Sequence, residues 1–275
     1  MSTAEVLNPY IFGVRPIEVL KRQVKVEGER ATIDAKGLNH KEINDLIREC
    51  AISGIKEIVL KNVYGQRFIG TRVSLNEFRL RILIHGFPGN DLGAFLAKHE
   101  IIVYGNAQDG VGNTMDSGRI IIHGRAGDVL GLGMRGGEIF VRDEVGYRAA
   151  IHMKGYEDKI PTIVIGKTAQ DFLGEYMAGG RVIVLGLGVE KHRMRYIGTG
   201  MHGGKIYIRG KVEKHQLAKE VTFGEITDED LEILEKYVTE FCNIFGCEQD
   251  EILGDSFTLI VPKSKRPYGN LYSGD

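Results

Sequence analysis

The stretch DVLGLGMRGGEIFV, Asp128–Val141, decides how the rest of the chain is read. Its Gly131, Gly133 and Gly136 fit the G-x-G-x-x-G spacing of a dinucleotide-binding turn. That turn needs a strand before the glycines and a helix after them, so that a helix N-terminus faces the pyrophosphate. Here the glycines run into Glu138–Val141, which has the composition of a strand. The same spacing recurs at Gly198, Gly200 and Gly203, again ahead of a strand-like run, Lys205–Ile208. Recurrence marks a structural repeat, whereas a phosphate cradle has no reason to repeat.

Working outward, strand-like runs end at Asn62, Gly86, Gly105, Gly124, Asp143, Gly166, Gly186 and Gly210, and three consecutive intervals (86 to 105 to 124 to 143) are nineteen residues each. Two and four positions before these anchors the residues are aliphatic, with Thr162 the exception, and most are β-branched, as suits a strand face turned to a core. After each strand comes an apolar residue, a small residue, two variable ones, then Met or another aliphatic. Leu130, Gly131 and Met134 are one instance. The small column contains Gly93, Gly112, Gly131, Gly174 and Gly198, with Ala150 in place of glycine in one repeat. The column that holds Met115, Met134, Met153, Met177 and Met201 reads as core filler. Short strands, a period near nineteen and aligned columns predict an all-β solenoid, a parallel β-helix of about seven to eight coils, with the glycines turning its corners.

Such a rod has open ends that need covering. A helix near 40–52, started by Asn39 with Glu42 three residues on, is expected to cap one end. A second near 228–245, with Thr227 and Asp230 at its start and Gly246 at its stop, is expected to cap the other. The expected division is 1–53 as N-terminal arm and capping helix, 54–210 as the repeats, and 211–275 as C-terminal helix, strand and tail. A formal charge of -1 gives no basic excess for nucleic acid, and no apolar run is long enough to span a membrane. Residues 1–9 lack the pattern of a signal peptide, so a cytoplasmic location is expected.

The polar columns offer candidates for chemistry. His85, Tyr104, His123 and Arg142 each stand one residue before an anchor and form a ladder on neighbouring strands, either a functional surface or solvated strand ends. Asp109, Asp128 and Asp171 share a column before the repeated glycine, where carboxylates either do acid–base work or, as favoured here, bond their own turn backbone. Cys242 and Cys247 match neither a zinc knuckle nor a redox pair, and His192, His202 and His215 are scattered. The sequence therefore assigns no catalytic, cofactor-binding or metal residue to this chain. One column does point to function. Val59, Leu83, Ile102, Ile121, Phe140, Ile163, Ile183 and Tyr207 face away from the core columns, and an apolar stripe of that length is covered either by the terminal segments or by another protein.

The units GDVLGLGMRGG (127–137) and DFLGEYMAGG (171–180), with EIVLKNVYGQRFIG (57–70), resemble the GXGXG repeats of the C-terminal domain of the glutamate synthase large subunit, in its stand-alone, archaeal-type form. The likeness covers roughly residues 31–275. It implies a right-handed β-helix without catalytic residues, a scaffold in a cytoplasmic oxidoreductase complex that converts glutamine and 2-oxoglutarate to glutamate. FMN and iron–sulfur centres would then reside on partners, a glutaminase subunit and a synthase subunit, and self-association is a further expectation. One of the subunits of formylmethanofuran dehydrogenase shares the repeat, and membership of a complex of that kind is the alternative. A polysaccharide-acting β-helix enzyme using Asp109 and Asp128 is the reading from another class.

Overall fold

β-Branched runs bounded by glycine form strands at the expected places. The computed structural model describes residues 15–71, 73 and 78–264. The expected N-terminal arm up to residue 14 and the tail from 265 onward lie outside the described residues. The chain begins with a short helix α1 (Ile17–Leu20), then β1 (Val24–Glu27) and β2 (Arg30–Asp34), an antiparallel pair turned at Gly28. Helix α2 (His40–Ile52) follows, held at its start by the Asn39–Glu42 capping box. Next come β3 (Glu57–Tyr64), β4 (Arg81–Phe87), β5 (Glu100–Val103), β6 (Arg119–Ile122), β7 (Glu138–Val141), β8 (Thr162–Ile165), β9 (Ala178–Val184) and β10 (Gly203–Arg209). β11 (Val221–Gly224), α3 (Asp228–Phe245), α4 (Gln249–Leu253) and β12 (Phe257–Pro262) complete it.

Among the described residues all twelve strands join one sheet, in the order β1-β2-β3-β4-β5-β6-β7-β8-β9-β10-β12-β11. Pairing is parallel from β2 to β10 and antiparallel at both ends. This corrects the expectation of an all-β solenoid, a right-handed parallel β-helix of seven to eight coils. The chain forms an open, mostly parallel twelve-stranded sheet with few helices, closer to an α/β arrangement. The physical reason lies in the glycine-rich part of each repeat. A β-helix needs extended backbone on every face, but here each period supplies one strand and the remainder is turn. In Asp128–Met134, for example, Val129, Gly131 and Gly133 all have positive φ, so alternate residues are left-handed and the segment cannot extend.

The turns pack on one face of the sheet. Successive turns hydrogen-bond from repeat to repeat through their backbones, as where the Gly131 amide donates to Val111 O at 2.8 Å. The first core lies between turns and sheet and contains the strand residues Ile82, Ile101, Ile120, Ile139 and Ile163 together with Met115, Met134, Met153 and Met177. Ile43, Leu46 and Ile47 of α2 join it. The second helix corrects the expectation in another way: α3 does not cap an end but lies along the opposite face of the sheet, where Leu234, Tyr237, Val238 and Phe241 enter a second core. Strands buried on both faces explain the near-continuous apolar runs.

At the margin of this second face the first residues of β2 to β7 (Arg30, Glu57, Arg81, Glu100, Arg119 and Glu138) alternate in charge. Glu57 pairs with Arg30 at 3.1 Å and with Arg81 at 3.2 Å, Arg81 pairs with Glu100 at 2.9 Å, and Arg119 pairs with Glu138 at 2.6 Å.

Gly131 shows why the small column is small. It has φ +68, and a Cβ there would stand 2.5 Å from Ile163 Cδ1. The equivalent Cβ at Gly93, Gly112 and Gly174 would meet the Cδ1 of Ile120, Ile139 and Ile206 at 2.6, 2.4 and 2.6 Å. Ala150 breaks the rule at φ +63, and the strand position that continues this series between Ile163 and Ile206 is Val182, which has no Cδ1. The methyl gained on the turn is thus matched by one lost from the strand. Gly131→Ala alone should destabilise the protein by about 2–4 kcal/mol, from left-handed strain plus overpacking. Adding Ile163→Val should return at least half of that loss in denaturant unfolding. If the second change adds to the first, the fit between the two columns is not what selects glycine.

Candidate interface and polar sites

The apolar stripe is the sequence-derived candidate with the clearest structural setting. Val59, Leu83, Ile102, Ile121, Phe140, Ile183 and Tyr207 lie on one face of the sheet and belong to the second core. Ile163 does not. It pairs with Ile139 and faces the first core, while Val164, paired with Phe140, takes the stripe position. Counting from Gly166 misplaced β8 by one residue, and a slip of one residue exchanges faces. Thr162, the polar exception in the aliphatic columns, is explained by the same slip. The inward pair in β8 is Ile163 and Ile165.

α3 crosses the stripe from β10 to β6. At its start the carboxylate of Asp230, wholly buried, accepts hydrogen bonds from Tyr207 Oη and Lys205 Nζ, both at 2.6 Å, and from the Thr227 amide and hydroxyl at 3.0 and 2.8 Å. Midway, Tyr237 Oη donates to Glu138 Oε1 at 3.3 Å, and Glu240 pairs with Arg119 at 2.5 Å. At its end Phe245 meets the ring of His123 edge-on, with centroids 5.1 Å apart. Burial disfavours a charged Asp230, but the bonds from Lys205, Tyr207 and Thr227 outweigh it and hold the carboxyl well below the usual range. Burial first, and then the bond to Asp230, pushes the Tyr207 hydroxyl far up. The sequence showed Asp230 as a capping residue but gave no sign that its second oxygen binds the sheet.

The His85, Tyr104, His123 ladder forms as stacked rings, with centroids 4.8 Å apart for the first pair and 5.2 Å for the second. Arg142, the fourth member, is tied instead to Asp143 at 3.0 Å. Asp109, Asp128 and Asp171 do not bond their own turns. Each Oδ1 accepts the backbone amide of the next repeat, from Asp128, Tyr147 and Arg195 respectively, all at 2.8 Å. These carboxylates therefore join repeats. Cys242 and Cys247, set aside from their spacing, form a disulfide with Cα atoms 4.5 Å apart, because left-handed Gly246 (φ +74) turns the chain back on the last turn of α3.

Two buried histidines escaped the sequence reading or were taken as scattered. His99 Nδ1 accepts the Leu80 amide at 3.1 Å and Nε2 meets Val73 O at 3.0 Å, which fixes the proton on Nε2. His192 bridges Thr168 Oγ1 and Arg209 O, each at 3.1 Å. Burial lowers the pKa of both. His202 bonds Gly200 O, and His215 lies in the 214–216 turn. Among the described residues no group of three His, Cys, Asp or Glu side chains could hold a metal, and no helix is long and apolar enough to cross a membrane. The backbone amides that would cradle a phosphate at Gly131 and Gly133 are already used, donating to Val111 O at 2.8 Å and to Ile151 O at 2.9 Å.

Asp230→Asn should cost about 2–4 kcal/mol at neutral pH, because it removes the partner of Lys205 from a buried site. Since the folded pKa of Asp230 is depressed, its contribution is complete above the unfolded value of about 3.9 and is lost as pH falls through the folded value. The gap between wild type and variant in urea unfolding should therefore close below about pH 4. A gap that stays constant to pH 2.5 would show that Asp230 is not held as a carboxylate.

Comparison with known proteins adds three findings. A family model described as the GXGXG motif matches residues 36–265. A protein of Methanocaldococcus jannaschii, itself uncharacterized, is 50% identical over 257 residues, which is 90% of this chain and 98% of that protein. Among solved structures, a chain in the X-ray structure of the formyltransferase/hydrolase complex from Methylorubrum extorquens, in complex with methylofuran, matches with a TM-score of 0.56. It is 17% identical and the match covers 85% of this chain and 91% of that chain, so the likeness is one of fold.

Proposed function

Because the chain belongs to the GXGXG motif family, we propose that it serves as a non-catalytic structural subunit of a multi-subunit enzyme complex. The observation that carries this reading is the use made of the polar columns. Asp109, Asp128 and Asp171 are spent on joining one repeat to the next, and Asp230 and Arg119 on fixing α3. The carboxylates that were the candidates for acid–base work thus have structural uses. The polysaccharide-acting reading loses support on the same ground, since it relied on Asp109 and Asp128. The shared fold with a chain of an oligomeric enzyme supports a subunit role.

Two readings of the complex remain, each with its own support. The solved neighbour belongs to a formyltransferase/hydrolase complex and favours a formylmethanofuran dehydrogenase-like assembly, in which this chain would take the place of the repeat-bearing subunit. The repeats at 57–70, 127–137 and 171–180 support a glutamate synthase-like assembly, in which glutaminase and FMN/iron–sulfur subunits would make glutamate from glutamine and 2-oxoglutarate. The comparisons lend more support to the first. In neither does this chain carry the cofactor.

Affinity purification of the tagged full-length chain from its own cells, followed by mass spectrometry, separates them. Co-purification with a molybdenum or tungsten protein supports the formyl-group assembly. Recovery with flavin and iron–sulfur proteins and a glutaminase supports the other. The subunit reading fails if the chain is recovered alone, or if the purified chain by itself turns over glutamine or an FMN-dependent substrate.

A further inference from the structure

Three rows of side chains run across the face on which α3 lies, because alternate residues of paired strands share a side. The first is the charged row at the strand starts, from Arg30 to Glu138. The second is the apolar stripe, and the third contains Lys61, His85, Tyr104 and His123. α3 uses all three rows. Glu240 pairs with Arg119 in the first, Tyr237 and Phe241 join the core built on the second, and Phe245 meets His123 in the third. The helix ends there, but the rows continue across β5, β4, β3 and β2. They run on as Arg81 and Arg30, as Ile102, Leu83 and Val59, and as Tyr104, His85 and Lys61.

Exposure rises where the helix stops. Phe140, Ile183 and Tyr207 beneath it are fully buried, whereas Ile102 and Leu83 each keep 8%. The Arg119 side chain is 26% exposed, against 47% for Arg81 and 55% for Arg30. A groove of about 590 Å³ lies over β2 to β4, floored by Val59 and walled by Arg30, Lys61, Asn62 and His85. Beyond it Tyr64 and Phe87, paired across β3 and β4, are exposed, as are His85 and Tyr104. Asp34, next in the third row, is held by Asn62 at 2.9 Å. Among the described residues no hydrogen bond or ion pair engages the exposed ammonium of Lys61.

On the strength of the subunit reading, we propose that this groove binds an amphipathic helix of a partner subunit, laid along the line of α3. It carries carboxylates towards Arg81, Arg30 and Lys61, aliphatic side chains on the stripe, and aromatic ones towards His85 and Tyr104. α3 is the pattern for such a cover. Arg119 holds Glu138 and Glu240 at once, so an arginine already paired within the row still accepts a carboxylate from a helix above it. Arg81, between Glu57 and Glu100, and Arg30, beside Glu57, stand in that same row. Three strand spacings of about 4.8 Å leave room for about three turns of helix. The groove thus prolongs a contact already made, and its margin offers the aromatic and arginine side chains that carry binding energy at interfaces.

The test uses the complex recovered with the tagged full-length chain. Hydroxyl-radical footprinting should find Tyr64 and Tyr104 reactive in the isolated chain and protected in the complex. A carbodiimide, which joins an amine to a carboxylate in direct contact, should couple Lys61 to an Asp or Glu in a helical segment of a partner subunit. Lys61→Glu combined with Tyr64→Ala, at two exposed positions, should lower recovery of that partner by at least about tenfold while circular dichroism and the urea midpoint stay unchanged. Three results each overturn the proposal and leave the subunit reading standing: a complex in which both tyrosines stay reactive, coupling of Lys61 only to this chain or a second copy of it, or full recovery of the partner by the double variant. A chain recovered alone overturns both.

Discussion

The contact between each turn and the strand beneath it sets the thickness of the molecule. A glycine with positive φ lets the turn backbone settle onto an isoleucine of the sheet, and that isoleucine belongs to a later repeat, as Gly131 over Ile163 shows. One column of missing β-carbons therefore fixes the spacing of the turn layer and ties each repeat to those that follow. The parallel pairing of β2 to β10 and the closed first core both follow from that spacing. Ala150, set against Val182 in a column otherwise of isoleucine, shows that a combined volume is what the contact requires.

The opposite face is organised by charge and burial together. An apolar stripe across parallel strands needs a cover, and α3 supplies it from the same chain. Its position is determined by Asp230 at one end, Glu240 on Arg119 in the middle and Phe245 on His123 at the other. Because Asp230 serves both as N-cap partner and as the acceptor for Tyr207, the helix starts only where it can also reach the sheet.

Much of this was legible in the residues. The columns led to the strands from β3 to β10, the capping patterns at Asn39 and Thr227 to both long helices, and the stripe to a covered face. Other readings, besides the placement of α3, went astray for physical reasons. The period alone does not say how many faces of a repeat are extended, and only the left-handed backbone of the turns settles it. An insertion before β8 shifted the count by one, which in a strand moves Ile163 to the other face. The Asp column was assigned to its own turns because local bonds are common for Asp, whereas bonds to the adjacent repeat cannot be seen until the repeats are stacked.

The alternating charges at the strand starts bear on how the chain reaches this state. Strands this alike could exchange partners during assembly, and a strand that skipped its neighbour would bring Glu57 beside Glu100, or Arg81 beside Arg119. In the order found, Arg81 is shared between Glu57 and Glu100. The margin of the sheet thus acts as a counting device. It leaves the native sequence of strands as the arrangement in which each charge meets its opposite, and it penalises the single omission that a repetitive chain is most prone to make.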